Sequence, residues 1–147
     1  MNAKIEIGKH IAAQWIRSDE GFLLEPAPDI RGGEMRIGFG SACPPYMTFA
    51  NWSQAEQLLK RDLLVAASDA NGYLGHLSGA VNATRYAVLV CMAYQMGGPG
   101  LMGFAKLRRA ISDGDWEAAA VEMLDSAWSG QTPERAGRLA AHMRDGR

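Results

Sequence analysis

The sequence predicts a mainly helical α+β fold, with a small strand-containing N-terminal lobe and an all-helical C-terminal lobe joined by one long helix. Three observations lead there. Apolar residues recur at helical spacing over most of the chain. Pro and Gly are dense between Phe22 and Gly40. A long, capped, apolar-periodic segment begins at Asn51. With 147 residues, 48% of them hydrophobic, the chain can build one compact domain, residues 1–147, with lobes at about 12–70 and 71–147.

The elements follow in order. Ile11, Ala12, Trp15 and Ile16 mark an amphipathic helix leading to Asp19 and Glu20, and Gly21 helps to end it. From Phe22 to Phe39, Pro26, Pro28, Gly32, Gly33 and Gly38 separate short segments, the pattern of a small irregular antiparallel sheet. There Met35, Ile37 and Phe39 alternate with Arg36 and Gly38, which puts Arg36 on the face opposite Ile37. Asn51 and Gln54 have the spacing of a capping box, opening a helix from Trp52 to about Ala70, where Asn71-Gly72 is expected to stop it. Asn82 caps a helix through Tyr86, Val90 and Tyr94 to the turn Gly97-Gly98-Pro99-Gly100. Three shorter helices are expected at about 104–112, 116–126 and 133–143. Asp115 and Thr132 serve as their N-caps, and Pro133 lies in the first turn.

Composition narrows the function. Fifteen basic against sixteen acidic residues leave no strongly basic surface to track nucleic acid or anionic lipid. Cys43 and Cys91 lie far apart without metal-ligand spacing, so neither a disulfide framework nor a zinc site is expected, and Cys91 reads as a buried thiol. His10, His76 and His142 are dispersed and carry no chemistry. The N-terminus lacks the apolar core of a secretory signal, and no apolar run approaches the roughly 18 residues of a membrane span. The expectation is a chain made in the cytoplasm without stable membrane insertion. The glycines at 97–100 lack the Lys and strand-to-helix context of a phosphate loop.

Met92-Ala93-Tyr94-Gln95-Met96-Gly97 and Trp128-Ser129-Gly130-Gln131-Thr132-Pro133-Glu134-Arg135-Ala136, together with Asp19-Glu20-Gly21, resemble the T-even phage lysozymes. The resemblance runs from Ile11 to Gly146. It implies a lysozyme-like fold and an endolysin that hydrolyses the β-1,4 bond between N-acetylmuramic acid and N-acetylglucosamine in peptidoglycan glycan strands. It implies no metal and no organic cofactor, a monomer, and storage in the host bacterial cytoplasm until a separate membrane protein, a holin, opens the way to the periplasm and cell wall. Carried over by residue, Glu20 is the general acid and Asp29 the general base or electrostatic stabiliser. Arg135 matches the arginine that pairs with the catalytic glutamate from the opposite lobe. Gln95, Gly97 and Trp128 match substrate-binding or supporting positions. Read without the resemblance, Trp128 is a core aromatic spaced from Leu124, Arg135 complements Glu134 or Asp125, and Gln95 caps a helix end.

The sequence also departs from the family. Where the family has Thr-Ile-Gly-x-Gly-His, this chain has Arg36-Ile37-Gly38-Phe39-Gly40-Ser41, after one extra residue in the turn around Gly32-Gly33. Arg36 replaces the Thr that helps to hold the attacking water, making it a water-site or modulating residue. Ser41 replaces a His whose Asp partner survives as Asp62. At about 4 Å and an effective dielectric near 20, two unit charges interact by roughly 4 kcal/mol, so an unshared Arg36 would oppose a general acid beside it. Pairing with Asp29 or Glu34 would cancel that field. Three readings follow: a hydrolase; a transglycosylase-like enzyme leaving an anhydro end, if Arg36 fills the water site; or a catalytically altered or inactive module that binds peptidoglycan or a protein partner.

Overall fold

The computed structural model describes residues 2–29, 32–48 and 50–147. In chain order they form α1 (Ala3–Glu20), β1 (Leu23–Asp29), β2 (Gly32–Gly38), β3 (Ser41–Ala42), α2 (Trp52–Leu74), a 3-10 turn (Gly75–Ala80), α3 (Ala83–Met102), α4 (Ala105–Asp113), α5 (Trp116–Leu124), α6 (Ala127–Gln131) and α7 (Pro133–Asp145). This is the mainly helical α+β fold that the sequence predicts. The chain divides into two compact units, residues 13–64, and residues 1–12 with 65–147.

In the unit of residues 13–64, the antiparallel sheet has the order β1-β2-β3. β1 therefore lies at an edge, which suits Pro26 and Pro28, since neither can donate a ladder hydrogen bond. Its register against β2 shifts between Leu23 and Ala27 and again between Pro28 and Asp29. Ile37 is fully buried and packs with Ala50 and Leu58, with Cys43 and Met47 against them. Asn51 and Gln54 close the capping box reciprocally: the Gln54 N–H donates to Asn51 Oδ1 at 2.8 Å and the Asn51 N–H to Gln54 Oε1 at 3.0 Å. Arg17 of α1 forks onto Glu56 of α2, with both contacts at 2.7 Å.

In the other unit, α2 does not stop at Asn71-Gly72. It continues to Leu74 because Tyr73 and Leu74 are buried, and the helix ends at Gly75, whose φ of +54° suits a residue without Cβ. Arg108 then donates to the carbonyls of Tyr73 and Leu74, satisfying acceptors that the helix end leaves open. The Asn82 side chain caps α3 by accepting from the Arg85 N–H, as expected. α3 carries the buried run from Tyr86 to Ala93, and its Cys91 thiol is buried against the Ala12 carbonyl. The helical hydrogen-bond pattern runs to Met102, but Gly97 at φ +79° and ψ 168° breaks the path where the sequence places a turn. α5 packs on α4 and α7. Arg85 closes the far end of α7, donating to Met143 O at 2.7 Å and Arg144 O at 2.9 Å while its guanidinium lies 3.8 Å from the centre of the Trp116 ring.

Two expectations for the last helices need correction. The segment after α5 forms a separate short helix, α6, because the Ser126 side chain accepts from the Ser129 N–H and restarts helical pairing. Thr132 stands at the N-cap position of α7, but its hydroxyl donates backwards to the Trp128 carbonyl at 3.1 Å and makes no cap bond.

Hydrogen bonding from Arg17 holds the Glu56 carboxyl below its ordinary 4.5, against the opposing effect of burial. A carboxyl depressed in the folded state stabilises at pH above its unfolded value, and that stabilisation is lost as pH falls through the folded value. Melting temperature should therefore fall on acidification from pH 5, and Glu56→Gln should flatten that part of the profile. An unchanged slope in thermal melts between pH 5 and 2 would exclude the pair as an acid-sensitive contact.

Candidate functional site

The unit of residues 13–64 builds a carboxylate site from one helix end and one hairpin. Glu20 is the last residue of α1, and Gly21 follows at φ +66°, donating its N–H to the Arg17 carbonyl at 3.2 Å. This left-handed residue turns the chain away and leaves Glu20 at the helix end. Gly38 and Gly40, at φ +64° and +82°, turn β2 into β3. A Cβ on Gly40 would lie 2.7 Å from Glu20 Oε2 and 2.9 Å from its carboxyl carbon. Gly40 thus supplies the backbone angle and leaves the room that this position of the carboxylate occupies. The Gly38-Phe39-Gly40 spacing carried that signal, although the sequence reading gave Gly40 no role in the site.

Charge is balanced on the strands beside it. Ala27 pairs with Arg36, so Asp29 on β1 and Glu34 on β2 each lie two residues from that pair. Alternation places them on the Arg36 face. Arg36 Nε donates to Asp29 Oδ2 at 3.2 Å, and Nη2 lies 3.2 Å from Glu34 Oε2. Asp29 is the sheltered partner, its side chain 12% exposed against 69% for Glu34. Arg36 therefore takes both partners that the sequence offered it. The turn with the extra residue includes residues 30 and 31, which lie outside the described residues.

Ser41, at the family His position, is buried at 1% exposure, and its hydroxyl finds no partner among the described residues. Asp62 instead receives the neighbouring Arg61, whose Nε and Nη2 both lie 3.0 Å from Oδ1.

Gln95, Gly97, Trp128 and Arg135 all belong to the other unit. Trp128 is 6% exposed and donates its indole N–H to Gln95 Oε1 at 2.9 Å. Gln95 Nε2 donates to Thr132 Oγ1 at 3.3 Å, and that hydroxyl returns to the Trp128 carbonyl. The loop of bonds fixes the Gln95 amide and explains why Thr132 does not cap α7. Trp128 meets Phe104 edge-on, with centroids 6.2 Å apart, and both line a pocket of about 540 Å³ with Met96 and Leu107. Arg135 lies in the first turn of α7, half-buried. Among the described residues no group of three or more His, Cys, Asp or Glu side chains could hold a metal ion.

Two substitutions test this geometry. Gly40→Ala should cost about 1–2 kcal/mol from the left-handed backbone. It should also push the Glu20 carboxylate aside, by about 1 Å or more, which a crystal structure of the variant would show. A carboxylate left in place in Gly40→Ala would show that the close approach is dispensable. Ser41→Ala removes an unsatisfied buried hydroxyl and should stabilise by about 1 kcal/mol in urea unfolding, whereas a loss of that size would reveal a partner for the hydroxyl.

The profile of the phage lysozyme family matches residues 17–141. The chain is 30% identical over 89 residues to probable T4-type lysozyme 2 of Dictyostelium discoideum, covering 59% of this chain and 52% of that protein. It is 30% identical over 96 residues to probable T4-type lysozyme 1 of the same organism, covering 64% and 56%. It is 38% identical over 88 residues to the pre-baseplate central spike protein Gp5 of Enterobacteria phage T4, covering 58% of this chain and 15% of that protein. The match thus spans about half the length of the Dictyostelium relatives. With the profile covering nearly the whole chain over a mainly helical α+β fold, the chain belongs to the phage lysozyme family.

Proposed function

We propose that the chain is a peptidoglycan hydrolase, an N-acetylmuramidase that cleaves the β-1,4 bond between N-acetylmuramic acid and N-acetylglucosamine and lyses bacterial cells from within. The observation that carries this reading is the Glu20 carboxylate seated on Gly40, a position no side chain at residue 40 would permit. Glu20 protonates the leaving glycosidic oxygen. Asp29, held by Arg36, faces the positive charge that develops on the sugar or directs water to it. In this reading the fixed Gln95 amide and Gly97 contact the glycan, with Trp128 holding Gln95 in place, and Arg135 keeps the role of acid partner that the family resemblance implies. The enzyme needs no metal or cofactor, works as a monomer, is held in the bacterial cytoplasm and depends on a holin for release.

One observation favours a second chemistry on the same bond. Arg36 replaces the Thr that in the family helps to hold the attacking water, and it engages Asp29, which would make Asp29 a poorer base. The substrate's own hydroxyl would then attack, leaving an anhydromuramic end. A third reading, a peptidoglycan- or protein-binding module without catalysis, keeps the fold and drops the chemistry.

Turbidity loss of outer-membrane-permeabilised Gram-negative cells, with mass spectrometry of the fragments, separates the three. The hydrolase should release reducing-end muramic acid, and Glu20→Gln should slow lysis by at least about a hundredfold. Anhydromuramic ends would assign the second chemistry. No lysis by a folded native chain would remove both enzymatic readings.

A further inference from the structure

Trp52 opens α2 and is 57% exposed, although a tryptophan stabilises mainly by burial. It is the one exposed member of four tryptophans. Trp15, Trp116 and Trp128 are each at least partly covered, Trp116 beneath Arg85 and Trp128 bonded to Gln95. Capping does not explain it, because Asn51 and Gln54 close the helix end without the Trp52 side chain. Its neighbours are aromatic. Phe22, 39% exposed, lies 5.6 Å away by ring centroids, and buried Phe39 supports both at 5.0 and 5.7 Å.

We propose that Trp52 and Phe22 form a platform that stacks against the apolar face of a pyranose ring in a glycan strand. The two rings expose roughly 200 Å² between them, taking about 150–250 Å² for a whole aromatic side chain. That is well below the roughly 800 Å² per partner of a stable protein interface, and it suits the face of one sugar. The electron-rich ring faces attract the C–H bonds of a sugar, and the indole N–H provides a donor at the rim. The capping box uses Oδ1 of Asn51 and Oε1 of Gln54, which leaves the amide N–H groups of both side chains, at the same helix start as Trp52, outside the cap bonds.

The platform also shares its backbone with the carboxylate. Phe22 is separated from Glu20 by Gly21 alone, and Phe39 precedes the Gly40 on which Glu20 rests. The identity of the ligand as a glycan rests on the proposed function; the exposed rings do not.

The test titrates the full chain, in a Glu20→Gln background, with chitotetraose, following intrinsic fluorescence and calorimetry. Trp52→Ala should weaken binding roughly fivefold, in keeping with the strength of one aromatic contact. Trp52→Tyr should restore most of it, and Trp52→Phe should retain affinity while losing the emission change. Circular dichroism and thermal melts confirm that each variant is folded. Unchanged affinity in a folded Trp52→Ala, or no binding of chitotetraose by the parent, overturns the platform. So does a dimer that Trp52→Ala dissociates without loss of affinity, which would give the patch to a second copy of the chain. A native chain, with Glu20 intact, that releases muramic ends from peptidoglycan while Trp52→Ala binds chitotetraose normally sinks the platform alone. A native chain that releases none while the affinity of the Glu20→Gln chain still depends on Trp52 sinks the hydrolase reading alone.

Discussion

The approach of the Glu20 carboxylate to the backbone of Gly40 is the constraint on which the local structure of the candidate site depends. For a carboxylate to rest there, α1 must end at Glu20, which Gly21 provides with a left-handed turn. The strand that follows must reverse tightly, which Gly38 and Gly40 provide with two more. The reversal fixes neighbouring side chains as well. Ile37 enters the core with Ala50 and Leu58, and Phe39 is buried beneath Trp52 and Phe22. The glycines answer different neighbours: Gly40 leaves room for Glu20, Gly38 for Ala55, and Gly21 supplies only a backbone angle.

A permanent cation was added to this frame without leaving an unbalanced charge. Arg36 lies between Asp29 and Glu34 at equal distances, and the planar fork of the guanidinium can serve two carboxylates at once. Solvent screens Glu34 more than Asp29, so the sheltered pair is the stronger of the two. The arrangement leaves the charge of Arg36 shared between two carboxylates, with Asp29 as the sheltered one. The altered residues at positions 36 and 41 therefore act in different ways. Arg36 changes the electrostatics of the strands, whereas Ser41 leaves only a buried hydroxyl where a larger partner of Asp62 would stand, and Asp62 has taken Arg61 instead.

Features written in local chemistry were legible in the sequence. The capping box at Asn51 and Gln54, the cap at Asn82, the break at Gly97 and the Asp115 cap each involve residues a few positions apart, and all are present. Features decided by tertiary burial were not. Asn71-Gly72 carries a stop signal, but burial of Tyr73 and Leu74 outweighs the cost of an internal glycine, about 1 kcal/mol. Thr132 has the identity of a cap, yet the nearby Gln95 and Trp128 carbonyl claim its hydroxyl. In the candidate site, the family resemblance named the residues, and the structure adds where Glu20, Asp29 and Arg36 lie within the unit of residues 13–64. The pairing of Arg36 with both Asp29 and Glu34 was left open, because strand register decides it and the Gly-rich turn obscures that register.

Trp128 and Trp52 show why residue type alone does not locate a binding surface. The sequence marks Trp128 through its motif, yet the fold buries it and satisfies its indole N–H with Gln95. Its contribution to a ligand would pass through the orientation of the Gln95 amide, since a buried donor already paired inside the protein has little left to offer outside. Trp52 carries no motif and sits at a helix start where a polar residue would serve. There the fold supports the ring on Phe39 and leaves most of its surface open. Burial turns one tryptophan into a support and the other into a surface. Because Phe39 and Gly40 are adjacent, the support for that surface and the seat of the Glu20 carboxylate are set by the same two residues of backbone.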